Sequence, residues 1–356
     1  MRRPEEAQAT HPAAVQALSH WSIEAVGWAL LPQGNINESH LVQTIDGDRF
    51  VLQRVSEIFD PRVCRDIQQV TKHLKAKGLN SPQVVESREG GASAEVEGQT
   101  WRLSTWVPGR VFKRVEASWQ AEEAGRALAA FHRGMADYAR PFEARRLGVH
   151  DSPAHLAGLE AAVAQGQDAP RREEIVPVAE AILEFWRATP RLELGPERVV
   201  HGDPKLANLV FEEHRDRWAA WIDLDTVGPM ALALELGDAF RSWCQPAGED
   251  TEGQFERPVF EAGCRGYAAG CLWPEEASKQ LVLAVETISI ELAARFCRDA
   301  FECRYFGWDA RRFPDASAHH LARARSQLAF ALSVRSSAAP AQEACERTFH
   351  GKASGP

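Results

Sequence analysis

The sequence has no long apolar run. None of its 356 residues belongs to an unbroken stretch of the roughly 18 apolar residues that a membrane-spanning helix needs. The first residues, MRRPEEAQATHPAAVQ, carry two arginines but no apolar segment after them, so no secretory signal is predicted. We therefore expect a cytoplasmic protein without a membrane partner.

The sequence also lacks an excess of basic charge. Its 41 lysines and arginines are outnumbered by 50 aspartates and glutamates, which gives a net charge of −9 and no basic footprint for nucleic acid. The seven cysteines are scattered without metal-ligand spacing and are expected to be free thiols in a reducing compartment. Nothing in the composition points to an obligate protein partner.

What the sequence does contain divides it into three parts. Residues 1–107 read as strands and turns, with a hairpin signal at Asp46-Gly47 and a helix that begins near Asp60-Pro61 and stops at Gly78. Residues 108–335 place apolar residues three and four apart, which predicts helices. Residues 336–356 are rich in Ala, Ser and Pro and are predicted to be disordered.

The stretch HGDPKLANLVF, residues 201–211, concentrates polar side chains in a loop before an apolar strand. A second apolar run, residues 219–222, precedes Asp223 and would form a hairpin with residues 209–211. That hairpin would place Asp223 close to Asn208 and Asp203. Three oxygen ligands at one hairpin mouth suit a hard divalent cation such as Mg²⁺.

This arrangement resembles the catalytic machinery of protein-kinase-like phosphotransferases, in which an aspartate precedes an asparagine by five positions. The resemblance implies a two-lobed α+β fold that uses ATP and Mg²⁺. Asp203 would accept the proton of the attacking hydroxyl, and Lys205 would offset the charge of the transferring phosphoryl group. Asn208 and Asp223 would hold the metal.

HGD in place of HRD, and the helix segment GRALAAFH at residues 125–132, look like the aminoglycoside phosphotransferase and choline kinase family. No G-x-G-x-x-G, V-A-I-K or A-P-E motif stands where a protein kinase would have it. The segments GNINESHLV, IDLDTVGP, ELGDAFR and YFGWDARRF are most similar to N-acetylhexosamine 1-kinases. This resemblance implies phosphorylation of the anomeric hydroxyl of an N-acetylhexosamine or a related sugar.

The nucleotide side departs from the usual pattern, because strand RFVLQRV lacks the lysine that contacts the α- and β-phosphates. Arg54, or alternatively Gln53, is expected to replace it, with Asp66 as the helix carboxylate that orients it. Asn35, with Asn37 and Ser39, would cover the phosphates or reach the sugar, and Trp106 would stack on adenine. A surface arginine, a solvated aspartate, turn-forming polar residues and a core tryptophan are the alternatives.

For the acceptor, the resemblance implies a set of polar and aromatic side chains: Asp225, Asp238, Arg241, Arg295 and Tyr305. Asp238 could instead brace its loop, and Arg295 could pair with Glu291 one helical turn away. His150 has no assigned role. The alternatives to a sugar kinase are a kinase for choline, homoserine or an aminoglycoside, and a catalytically silent nucleotide-binding protein. Intact Asp203, Asn208 and Asp223 argue against the silent protein.

Overall fold

A computed structural model describes residues 12–31, 37–145 and 148–351. The N-terminal part contains a five-stranded antiparallel sheet and two helices. These elements are α1 (Pro12–Leu18), β1 (Ala25–Leu30), β2 (Glu38–Thr44), β3 (Arg49–Arg54), α2 (Val63–Ala76), β4 (Ala94–Val96) and β5 (Gln99–Thr105). The strand order in the sheet is β1-β2-β3-β5-β4.

The predicted hairpin joins β2 to β3. Gly47 adopts the left-handed conformation (φ 86°) that its turn requires, and the amide of Thr44 donates to the carbonyl of Asp48 at 2.9 Å. The predicted helix is α2, although it begins at Val63 rather than at Pro61. Gly78, with φ 75°, follows the helix end as expected.

The two faces of this sheet have different neighbours. On one face Leu52 of β3 lies opposite Leu103 of β5, and both pack with Trp21 into a core that α1 covers. Successive side chains of a strand point to opposite faces, so Gln53 and its partner Arg102 belong to the other face. That second face looks towards the helical C-terminal part.

The C-terminal part consists of eight helices and five short strands within the described residues. The helices are α3 (Ser118–Met135), α4 (Ser152–Gln165), α5 (Arg172–Ala188), α6 (Leu232–Trp243), α7 (Arg257–Ala268), α8 (Pro274–Glu302), α9 (Ala316–Ser336) and α10 (Ala338–His350). Helices α3, α5 and α8 lie where the apolar spacing predicts helices. Their buried stripes, for example Leu281, Val285 and Ile288 on α8, recur every three or four residues.

The short strands form two small ladders beneath the N-terminal sheet. They are β6 (Arg110–Val111), β7 (Glu197–Val200), β8 (Leu209–Phe211), β9 (Trp218–Trp221) and β10 (Gly228–Ala231). The hairpin of β8 and β9 is the one the sequence predicts, and β6 pairs with its β8 edge. Strands β7 and β10 pair antiparallel, so the loops that follow β7 and β9 meet.

The prediction of a disordered tail is wrong for the part of residues 336–356 that the structure describes. Helix α10 docks on the helical core through Ala341, Cys345 and Phe349, each less than 5 % exposed. The ring of Phe349 lies 6.2 Å from that of Tyr267 on α7. Burial of this apolar stripe outweighs the flexible composition of the segment.

The described helices include none that is both long enough and apolar enough to cross a lipid bilayer.

Candidate active site

The loop that follows β7 is held in a conformation that only glycine tolerates. Gly202 has φ 85°, and a Cβ atom there would lie 2.2 Å from the carbonyl oxygen of Thr226. The hydroxyl of Thr226 in turn donates to the carbonyl of His201 at 3.1 Å. This close approach places Asp203 at the mouth of the β8–β9 hairpin.

Two of the predicted site residues, Lys205 and Asn208, donate to one carboxylate oxygen of a third, Asp203. The Nζ atom of Lys205 donates to Oδ2 of Asp203 at 2.5 Å, and Nδ2 of Asn208 donates to the same oxygen at 3.0 Å. The side-chain amide of Asn208 also donates through Nδ2 to the backbone carbonyl of Asp203 at 2.9 Å. Burial lowers the pKa of Lys205, but the Asp203 carboxylate outweighs it, so the net pKa is raised and the ammonium stays charged.

Asp223 follows β9 in a left-handed conformation, with φ 61°. The residue as a whole is exposed, but the protein around its carboxylate still removes part of the water that would stabilise the charge. The carboxylates of Asp225 and Asp203 also repel it. Its pKa is therefore raised to about 7. An accessible carboxylate that is poorly compensated by the protein fits a cation site.

No group of three His, Cys, Asp or Glu side chains is arranged to hold a metal within residues 12–31, 37–145 and 148–351. A metal here would therefore bind Asp223 and the amide oxygen of Asn208, and phosphate oxygens would complete its shell. Mg²⁺ commonly binds in this way, through one or two protein ligands plus substrate phosphates.

Glu235 supports the loop by accepting two of its backbone amides, a role that was not predicted from the sequence. One carboxylate oxygen accepts the amide of His201 at 2.9 Å, and the other accepts the amide of Gly202 at 3.0 Å. Glu235 lies in the first turn of α6 and is 1 % exposed. Its place at the start of ELGDAFR, directly after the apolar run of residues 230–234, is the signal that could have identified it.

Two histidines extend this support. The ring of His201 donates through Nε2 to the carbonyl of Ile222 at 3.0 Å and accepts the amide of Asp203 through Nδ1 at 3.3 Å. Burial lowers the pKa of His201, which favours the neutral ring that this pattern needs. His132, the last residue of GRALAAFH, has its Nε2 3.6 Å from Glu235 and its Nδ1 2.8 Å from the hydroxyl of Tyr267.

The expected roles of Arg54 and Asp66 do not fit the structure. Arg54 lies on the face of β3 opposite to Gln53, with its side chain 43 % exposed, and pairs with Glu38 at 2.8 Å. Asp66 is buried and accepts the backbone amides of Glu143 and Ala144 at 2.8–3.1 Å. The carboxylate of Asp66 is thus occupied in joining α2 to the segment after α3.

The loop that was expected to cover the phosphates is only partly described. Asn35 lies outside the described residues. Ser39 accepts the side-chain amide of Gln53 at 3.1 Å. Trp106 is half-buried beside the guanidinium of Arg49, which lies 6.0 Å from the ring centroid, and adenine stacking stays a prediction.

Asp225 is not free to bind an acceptor, in contrast to the expectation from the sequence. Its Oδ1 accepts NH1 of Arg102 at 2.7 Å, and its Oδ2 accepts Nδ2 of Asn37 at 2.7 Å and NH2 of Arg102 at 3.2 Å. Burial raises the pKa of Asp225, but Arg102 outweighs it and holds the pKa below its usual range. The carboxylate of Asp225, in the C-terminal part, therefore accepts three hydrogen bonds from side chains of the N-terminal part.

Asp238 and Arg241 form a pair on α6, close to the catalytic loop. Arg241 donates twice to Oδ1 of Asp238, at 3.0 and 3.2 Å, and once to Glu249 at 2.9 Å. Burial raises the pKa of Asp238, but Arg241 and His150 outweigh it and the net pKa is lowered. Asp238 thus remains an anion beside the charge of Lys205.

Arg295 and Tyr305 lie next to each other at the end of α8. The guanidinium carbon of Arg295 is 5.6 Å from the centroid of the Tyr305 ring, which is 60 % exposed. NH1 of Arg295 lies 3.9 Å from Glu291, so the expected one-turn pair is present but long. Glu291 accepts more closely from His150 and from the hydroxyl of Ser152, at 3.0 and 2.6 Å.

Three comparisons relate this chain to known proteins. A sequence model of the phosphotransferase enzyme family, APH, matches residues 27–273. A homoserine kinase from Granulibacter bethesdensis is 26 % identical over 220 residues, which are 62 % of this chain and 66 % of that protein. The chain thus spans just under two thirds of the length of this curated relative.

Two solved structures share the architecture. An aminoglycoside phosphotransferase from Alicyclobacillus acidocaldarius has a TM-score of 0.60 at 17 % identity, covering 93 % of this chain and 97 % of its own. A microcompartment-associated aminopropanol kinase has a TM-score of 0.62 at 17 % identity, covering 91 % and 97 %. These likenesses confirm the expected two-lobed α+β kinase-like fold. None of the three proteins is named as a hexosamine kinase, so the expected sugar acceptor finds no support among them.

Proposed function

Because the chain belongs to the phosphotransferase enzyme family, we propose that it transfers the γ-phosphoryl group of ATP to the hydroxyl of a small amino alcohol. The observation that carries the proposal is the convergence of Lys205 and Asn208 on Asp203, with the carboxylate of Asp223 near enough to that of Asp203 to be repelled by it. A fold alone would not support a reaction, but a set of side chains with matched chemical roles does.

Asp203 is the base that orients the acceptor hydroxyl and takes its proton. Lys205 holds the carboxylate of Asp203 and offers positive charge to the phosphoryl group as it moves. Asn208 fixes the backbone of Asp203 through its amide nitrogen, which leaves its amide oxygen for a metal. When bound there, Mg²⁺ would supply charge neutralisation to the phosphates, and Asp223 would be its anionic ligand.

The charges near Asp203 favour an acceptor that carries an amine. In the described residues both hydrogen bonds to Asp238 go to Oδ1, which leaves Oδ2 for an ammonium group. Arg295, whose charge like that of Asp238 acts on His150, would pair with the carboxylate of an acceptor that is an amino acid such as homoserine. The names of the relatives, homoserine kinase and aminopropanol kinase, support the same class.

An acceptor screen tests this function. The purified protein is incubated with Mg²⁺–ATP and homoserine, 1-amino-2-propanol, choline, an aminoglycoside or N-acetylglucosamine, and release of ADP is followed together with the mass of the product. We expect phosphorylation of an amino alcohol. Asp203→Asn should lower the turnover rate about 10²–10⁴-fold, the usual contribution of a general base, with little change in nucleotide affinity.

Two results would contradict the proposal in different ways. Turnover of the N-acetylhexosamine alone would restore the sugar-kinase interpretation and remove the amino-alcohol acceptor. Near-native turnover in Asp203→Asn would show that Asp203 is not the base.

A further inference from the structure

The N-terminal sheet and the metal-binding loop are joined by one buried ion pair. Arg102 of β5 and Asp225 have side chains that are only 4 % and 2 % exposed, and they meet through two hydrogen bonds. A second bond from NH2 of Arg102, 2.8 Å long, reaches Oε1 of Gln53 on β3. Asn37 completes the group by linking Asp225 to the backbone amide of Ser56.

Asp225, the acidic member of this pair, lies two residues after Asp223 in the chain. The loop on the other side of Asp223 is also fixed, because the amide of Ile222 donates to the carbonyl of Asn208 at 2.9 Å. The backbone is therefore fixed on both sides of Asp223. The Ile222–Asn208 hydrogen bond fixes it within the C-terminal part, and the Asp225–Arg102 pair fixes it to the N-terminal sheet. Its left-handed backbone, unusual for a residue other than glycine, needs such anchoring to persist.

We propose that Arg102 and Asp225 are positioning residues that couple the N-terminal sheet to the metal ligand Asp223. The inference rests on the proposed nucleotide-dependent function but assigns a role that the site residues themselves do not have. A planar guanidinium makes a rigid two-pronged contact, so the N-terminal sheet and the loop of Asp223 are held together as one unit. Gln53 extends the contact to β3, the strand that lacks the usual phosphate-binding lysine.

The coupling can be measured without turnover, by calorimetry with AMP-PNP in EDTA and in excess Mg²⁺. The ratio of the two dissociation constants is the metal-dependent gain in affinity. In Arg102→Gln and in Asp225→Asn this gain should fall roughly 5–150-fold, the usual range for coupling between sites, while affinity in EDTA changes little. The double variant should lose no more than the worse single variant, because both remove the same contact.

Arg65→Gln is the matched control. Arg65 of α2 also pairs across the two parts of the chain, with Glu143 at 3.2 Å, but its side chain is 66 % exposed. This variant should keep the wild-type gain. If Arg102→Gln does not fold, Arg102→Lys retains the charge but not the two-pronged contact, and its gain should be intermediate.

An unchanged metal-dependent gain in folded Arg102 and Asp225 variants would overturn the coupling, as would equal weakening with and without Mg²⁺. The proposed function fails separately, if the wild-type protein binds Mg²⁺–AMP-PNP but phosphorylates no acceptor. A wild-type protein without metal-dependent nucleotide binding would overturn both.

Discussion

Replacing Glu235 by glutamine should separate the support of the catalytic loop from the general stability of the fold. The Glu235 carboxylate accepts the amides of His201 and Gly202 at 2.9 and 3.0 Å and is 1 % exposed. Glutamine keeps the shape and one acceptor oxygen but presents an NH₂ group to the other amide. One charge-assisted bond is then lost, and one buried backbone donor loses its partner.

The expected size follows from these two bonds. A hydrogen bond to a charged group contributes about 1.5–3 kcal/mol, so Glu235→Gln should lower the free energy of unfolding by about that amount. Because His201 and Gly202 directly precede Asp203, the base should also shift. A misplacement of a catalytic group by about 1 Å can cost roughly 10²-fold in rate. We therefore expect a large fall in kcat and a small change in the KM for ATP.

Glu123 provides the matched control. It is also buried and accepts a backbone amide, that of Trp218 at 3.1 Å, but Trp218 begins β9 away from the catalytic loop. Denaturant unfolding and steady-state kinetics are measured for Glu123→Gln and Glu235→Gln side by side. If both variants lose similar stability and keep similar kcat, the support of Asp203 by Glu235 is refuted.

Two further predictions concern the metal ligand and the C-terminal helix. Asp223→Ala should abolish both the Mg²⁺-dependent part of AMP-PNP binding and turnover; retention of either, measured by calorimetry and ADP release, would remove Asp223 from the metal site. Phe349→Ala should lower the free energy of unfolding by about 3–5 kcal/mol, the usual cost of truncating a buried phenylalanine. The exposed Glu343→Ala on the same helix should change it by less than about 0.5 kcal/mol, and equal effects of the two would mean that α10 is not docked.

The sequence was informative where the relevant contacts are local. Asp203, Lys205 and Asn208 lie within six residues, so the geometry of one loop determines how they meet. The β8–β9 hairpin adds Asp223 through a turn between two short apolar runs, which are recognisable because the charged residues 212–217 separate them. No distant element is needed to bring these four side chains to one place.

The nucleotide side was harder because it depends on which face of a strand a residue occupies. Arg54 and Gln53 are neighbours in the sequence, yet they belong to opposite faces of β3. The residue type favours Arg54 as a phosphate ligand. The pairing of Leu52 with Leu103, however, assigns Arg54 to the face of the sheet that packs against Trp21 and α1. The register of the sheet, not the residue type, decides the question.

Helix α10 shows a different limit of composition. An Ala- and Ser-rich segment has low helix-packing potential when its residues are averaged, and the prediction of disorder follows from that average. The structure depends instead on three residues at helical spacing, Ala341, Cys345 and Phe349, which meet a groove formed by other helices. Such a groove exists only after the rest of the core has assembled.

Asp225 illustrates why an acid beside a proposed metal ligand need not touch substrate. Its two partners, Asn37 and Arg102, are 188 and 123 residues away in the chain, so no local pattern could identify them. The Asp225 carboxylate already accepts three hydrogen bonds and its side chain is only 2 % exposed, so a substrate would have to break the buried ion pair to reach it. Breaking the pair would leave Arg102 as a buried cation without its carboxylate partner, which is a cost that a substrate hydroxyl cannot offset. The aspartate that was expected to bind the acceptor is therefore better explained as the contact through which, in our proposal, the N-terminal sheet holds the loop of Asp223 in place.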